Sequence, residues 1–181
     1  RGPLEEEIRK MPFVTRIGLS EGYPGGLVET VTEVEPGKDQ LIGLLICDTE
    51  AFDMYNFKRK TDNGVDVGNS AWADQYTYES MASYGADLNT PQGMMAIPLA
   101  SPDTRFGGLL DDFAIFDAIT DSRNVWCNVR VSDTGNFSTW MSDGGGLLIQ
   151  TIGDHGENGR AIIEAYRKYS EERNGIYMEP M

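Results

Sequence analysis

The chain has 181 residues, 40% of them hydrophobic and 10% aromatic. That is enough for one domain whose packed core requires neither metal nor disulfide. Its 29 acidic against 15 basic residues give a formal charge of −14, which repels phosphate backbones and anionic lipid and excludes nucleic acid as a partner. No apolar run approaches the ~20 residues of a bilayer-spanning helix, no signal peptide is read at the start, and direct membrane insertion is not expected.

Twenty-one Gly and eight Pro predict many turns and short strands rather than a helix bundle. In "GPLEEEIRKM", Pro3 suits a first helical turn, Glu5 to Glu7 complement the positive end and Arg9 and Lys10 the negative one. A short N-terminal helix therefore forms an extension over 1–12, ended by Pro12. "FVTRIGL" and "LVETVTEV" read as strands separated by the turn-rich "SEGYPGG". "LIGLLIC", at 41–47, is apolar on both faces and suits a central strand. "AWADQYTYESMASYG" reads as a helix capped by Ser70 and stopped by Gly85, while alternation at Trp72, Asp74, Tyr76 and Tyr78 equally permits a strand at its start.

Further strands are predicted at 93–99, 112–116, 125–131, 137–141 and 147–152, the last three as an antiparallel meander joined by "SDTGN" and "SDGGG". The period then changes. Ile162, Ala165, Tyr166 and Tyr169 share one face of an amphipathic helix over 158–174, with Asn158 as its cap and Glu164 placed to pair with Lys168. The fold class is thus α+β: a mainly antiparallel sheet or sandwich with a helix at each end. One β-rich domain spans 13–174 and a tail spans 175–181. Cys47 and Cys127 fall in apolar strands and read as core thiols.

Several residues suit specific chemistry. Asp62, Asn63 and Asp66 in "TDNGVDVGNS" are hard oxygen ligands fitting calcium, although Asn, Asp and Gly are also the usual turn formers. No other cofactor is implied. His155 is the only histidine, which excludes a multi-histidine metal site, and no "GxSxG" elbow supplies it with a nucleophile. Trp72 and Tyr76, in the aromatic-rich 72–84 segment, could with Trp126 and Trp140 line a sugar-binding platform, although core packing is the default for so many aromatics. Asp111 and Asp112 lie in "FGGLLDDFAIFDAITD", where neighbouring strand residues point to opposite faces and cannot aim at one atom. A turn-to-strand role, with Gly107 and Gly108 making the turn, is therefore favoured over the alternative that Asp111 and Asp112 are binding residues.

This stretch, residues 106–121, resembles the closing strand of laminin-G-like or concanavalin-like jelly-roll domains, in which a Gly, paired acids and an alternating apolar strand recur. The resemblance implies a β-sandwich and glycan binding. Taken together, the expected function is a non-enzymatic structural subunit of a larger assembly, a virion or an organellar complex. Its partners would be other protein subunits, with the terminal extensions and the Ile162, Tyr166 and Tyr169 face holding it. The alternative is a lectin-like module. Nothing in the sequence assigns a compartment.

Overall fold

The computed structural model describes residues 2–24, 26–111, 125–133 and 145–174. The chain divides into two compact units, one running to Ile17 and resuming at Leu147, the other spanning Gly18–Gly146.

The first unit opens with α1 (Pro3–Arg9), whose proline, early acids and final arginine are placed as helix polarity requires. Arg9 donates to the Glu5 carboxylate at 2.6 Å one turn away, and Ile8 is buried. Strand β1 (Val14–Glu21) begins in this unit. There it neighbours β7 (Gly145–Thr151): Thr15 Oγ1 donates to the Gln150 carbonyl at 3.2 Å and the Ile152 N–H to Phe13 O at 2.9 Å. The long helix α5 (His155–Asn174) packs on α1.

In the second unit the remainder of β1 is followed by β2 (Val28–Glu35), β3 (Lys38–Cys47), α2 (Thr49–Tyr55), β4 (Asn69–Asp74), α3 (Gln75–Ser83), α4 (Pro91–Met94), β5 (Arg105–Leu110) and β6 (Val125–Ser132). The strand order here is β5-β4-β6-β3. On its other edge β3 meets β2, in register from Val28↔Leu44 to Glu35↔Lys38, and then the end of β1 at Ser20↔Cys47. The sheet is mixed. β3 runs parallel to β6 and β4 parallel to β5, while β4 is antiparallel to β6.

Residues 42–47 of β3 are all buried, as a strand bonded on both edges and covered on both faces must be. Successive strand residues face opposite sides, so Ala71 and Ala73 join the cluster made with Met81 of α3, Met94 of α4 and Trp126. Trp72, between them, points the other way and stacks on Phe52 of α2 at 5.4 Å. Gly18 permits the close seating of α2, because a Cβ at this position would come within 2.5 Å of the Ala51 nitrogen.

Several expectations are corrected. The meander does not form, since the neighbours of β6 are β3 and β4, and β7 neighbours β1. Residues 93–99 are not a strand. Thr90 caps α4 through the Gly93 N–H at 3.1 Å, successive turns follow to Ile97, and Leu99 takes a left-handed φ of 63°. Gly107 and Gly108 are not a turn but the middle of β5, where Gly107 lies against the Trp72 indole and Gly108 (φ 137°) against the Thr61 backbone. The 71–85 segment is strand and then helix, with Asp74 as the cap, accepting from Thr77 N at 2.6 Å. Helix α5 starts three residues earlier than expected. Asp154 caps it through Glu157 N at 2.9 Å, and Asn158 Nδ2 instead donates to Ile152 O. Glu164 pairs with Arg167. The predicted strands 112–116 and 137–141 and the tail 175–181 lie outside the described residues.

Two predictions follow from this packing. Gly18→Ala forces β1 and α2 apart and should destabilise the protein by roughly 1–3 kcal/mol, read as a lower denaturant midpoint with unchanged slope. Cys47 and Cys127 are free and buried, and burial raises both thiol pKa values, so little thiolate exists to react. Labelling by a thiol reagent should follow global unfolding; a rapid native-state reaction at Cys127 would show the β6 register to be wrong.

Candidate functional site

A polar grouping in the second unit lies where the parallel strands β3 and β6 end, the side of such sheets on which ligands commonly sit. Asp48 follows β3 directly and caps α2, its Oδ1 accepting from Ala51 N at 2.8 Å. Asp133 follows β6 and clasps the same helix, accepting from Thr49 N at 2.8 Å and Thr49 Oγ1 at 2.7 Å. Gly68 lies against this carboxylate, and a Cβ there would come within 2.5 Å of Asp133 Oδ2 and displace it. Arg130 is 4% exposed and reaches Ser70 O at 3.2 Å and Asn69 Oδ1 at 3.0 Å, while Nη1 also donates to Val131 O. Burial pulls its pKa down, and burial, followed by the nearby Asp48 and Asp133, pushes that of Cys47 well up. With Asp133 spent on Thr49 and Arg130 on three strand oxygens, the grouping braces strand ends against a helix. Sequence reading missed it, although Asp48 preceding "TEAF" is a legible capping signal.

Asn128 is fully buried with neither side-chain Oδ1 nor Nδ2 hydrogen-bonded. It sits across from Leu44 of β3 and Ala73 of β4.

The residues singled out from sequence do not converge. Asp62 accepts from Gly64 N at 2.8 Å and Arg59 at 2.6 Å, which together hold its carboxyl below the usual range. Asn63 donates to Phe106 O, and Asp66 accepts from Gly68 N. Among the described residues no three His, Cys, Asp or Glu side chains are placed to hold a metal. Trp72 is corrected from platform to core. It is fully buried under Phe52 and the Arg59 guanidinium, with Nε1 donating to Ser70 Oγ at 2.9 Å. Tyr76 remains partly exposed on the first turn of α3. Asp111 is half-buried, its N–H bonded to Lys58 O at 2.7 Å, and Asp112 lies outside the described residues.

What the surface offers is apolar area. In the second unit Tyr23, Val31, Met95 and Leu99 are exposed. In the first, the inward stripe of α5 runs Asn158, Ile162, Ala165, Tyr169, with Asn158 and Ala165 buried and Ile162 and Tyr169 half-buried. Tyr166 (60% exposed) and Ile163 (58%) stand outside that stripe.

No protein-family model and no curated protein sequence matches the chain. Its fold is similar to that of the extracellular domain of the noncanonical ABC-type transporter YknZ from Gram-positive bacteria. That likeness has a TM-score of 0.53 at 11% identity and covers 96% of this chain and 87% of that one. The periplasmic region of MacB from Actinobacillus actinomycetemcomitans is also similar, with a TM-score of 0.47 at 9% identity, over 92% of this chain and 72% of that one. The expected virion or organellar subunit, and the lectin-like alternative, are corrected by the YknZ likeness.

The α5 surface is testable. Ile163→Asp and Tyr166→Asp should leave the melting transition within about 0.5 kcal/mol of the parent, as surface substitutions do. Ala165→Asp buries an unpaired charge and should cost roughly 2–5 kcal/mol. Equal effects of all three on thermal unfolding would contradict the helix orientation.

Proposed function

We propose that the chain is an extracytoplasmic domain of an ABC-type transporter assembly and serves there as a docking module for other proteins. The observation that carries this reading is the fold likeness to the YknZ extracellular domain, which extends over 96% of the chain and draws on both compact units. The surface supports it independently. Each unit leaves large apolar side chains exposed, Tyr23, Val31, Met95 and Leu99 in the second and Ile163 and Tyr166 in the first, on a chain of charge −14, and apolar side chains at a polar surface are available for protein contacts.

The buried state of both native cysteines makes a direct test available. Ala82 is exposed on α3, so Ala82→Cys introduces one accessible thiol. Expressed from its own locus, this variant should react with a membrane-impermeant maleimide in cells whose cytoplasmic membrane is intact, and the parent should not. Extraction in mild detergent should recover the chain with an ATP-hydrolysing membrane complex. Labelling that appears only after lysis would place the chain on the wrong side of the membrane for this function.

A further inference from the structure

Among the described residues, strand β2 is bonded along one edge. It pairs with β3 along its whole length, and among the described residues no strand lies on its other side. An eight-residue strand with a row of unpaired backbone groups is a template for another chain unless something blunts it. Here the only backbone interruption is the bulge between Glu33 and Glu35, next to the turn, and residues 28–33 keep a regular register.

The face presented beside that edge is specific in its chemistry. Glu29, Val31 and Glu33 alternate on one side of β2, across from Gly43, Leu41 and Asp39 of β3. Val31 is 57% exposed, and Glu29, Glu33 and Asp39 are exposed. Glu33 and Asp39 are directly opposed like charges, an arrangement that destabilises a sheet unless a cation joins it. Glu33 uses one oxygen on Gly37 N at 2.7 Å. The nearest lysine is committed elsewhere: Lys38 bonds Tyr84 Oη at 2.7 Å and lies 3.7 Å from Glu35. Among the described residues Glu29 and Asp39 have no side-chain partner. The patch is therefore an apolar centre between acids, with no cation of its own.

We propose that the outer edge of β2 is a docking site for an extended strand of a partner protein carrying a basic–x–apolar–x–basic pattern. The partner backbone continues the sheet, its two basic side chains meet Glu29 and the Glu33–Asp39 pair, and its apolar side chain covers Val31. Strand addition of this kind takes affinity from main-chain hydrogen bonds and specificity from alternate side chains. Charge excludes a second copy of this chain as the occupant. Antiparallel self-pairing centred on Val31 sets Glu29 against Glu33 of the other copy in both halves, which is repulsive. The inference stands on the β2–β3 hairpin alone and does not depend on the transporter reading, so a failed labelling experiment leaves it intact.

The test uses the full chain and a synthetic heptapeptide, Thr-Lys-Thr-Val-Thr-Lys-Thr, with a control in which both lysines are glutamates. Calorimetric titration should show the basic peptide binding at least about tenfold tighter than the acidic one at low salt, with the difference shrinking as ionic strength rises. Glu29→Lys should reduce that affinity about tenfold or more, and Val31→Lys likewise. Both positions are exposed, and unchanged far-UV circular dichroism and melting would show that the variants fold. Hydrogen exchange should slow at amides of residues 28–33 when the basic peptide is added. Absence of binding by the basic peptide, equal binding of the two peptides, indifference to Glu29→Lys, or protection confined to another element would each overturn the assignment.

Discussion

Strand β3 can be buried only if every backbone group on both of its edges is hydrogen-bonded and both of its faces are covered, and most of the second unit follows from meeting that condition. Its lower half takes β2 on one edge and its upper half takes the end of β1 on the same edge, so a single continuous strand is not needed there. The opposite edge is filled by β6 running parallel. Parallel neighbours cannot be joined by a tight turn, and the chain between them uses the detour to lay down α2 on one face and α3 and α4 on the other. The coverage is close: at Gly18 the backbones of β1 and α2 leave no room for a methyl group.

The same condition explains the polar groups at the strand ends. Where β3 and β6 stop, their last carbonyls and the first amides of α2 would be buried without partners. Asp48 and Asp133 answer the amides, and Arg130 donates to the Val131 carbonyl near the end of β6 and to the Ser70 carbonyl at the start of β4. The charges of Asp48, Asp133 and Arg130 are thus tied to the ends of secondary structure. Other acids stand exposed on the β2–β3 hairpin, at Glu29, Glu33, Glu35 and Asp39, and on helices α1 and α5.

Legibility in the sequence tracked how local the cause was. Helix α1 is written in Pro3, the acids after it and Arg9, and β3 in an uninterrupted apolar run; helix α5 is written in a stripe repeating every third or fourth residue. These patterns depend on neighbours within one or two turns. Residues 93–99 misled because Met, Ile and Leu in a short run suit a buried turn as well as a strand, and what decides the matter is Thr90 capping a helix upstream. Trp72 shows the limit of alternation. It announced a strand correctly but could not say which face would be covered, and α2 covers it. The parallel pairing of β3 with β6, some eighty residues apart by register (Leu41↔Val125), has no local signature at all. The outer edge of β2, which no strand meets among the described residues, inherits that difficulty, since a strand is an edge only by virtue of what lies beside it.

The register of β3 and β6 also constrains how the chain can be oxidised. Cys127 lies across from Gly43, and Cys47 is four residues further along β3, a separation of about 13 Å at ~3.3 Å per residue. A disulfide requires Cα atoms within about 7 Å. The one cross-link that two cysteines could make within this chain is therefore incompatible with the native sheet, and a molecule that forms it before folding is trapped. In an oxidising compartment, productive folding becomes a race between pairing β3 with β6 and pairing sulfur with sulfur. Once the strands have won, both thiols are sealed in the core as poor nucleophiles, and the redox potential outside no longer bears on the fold.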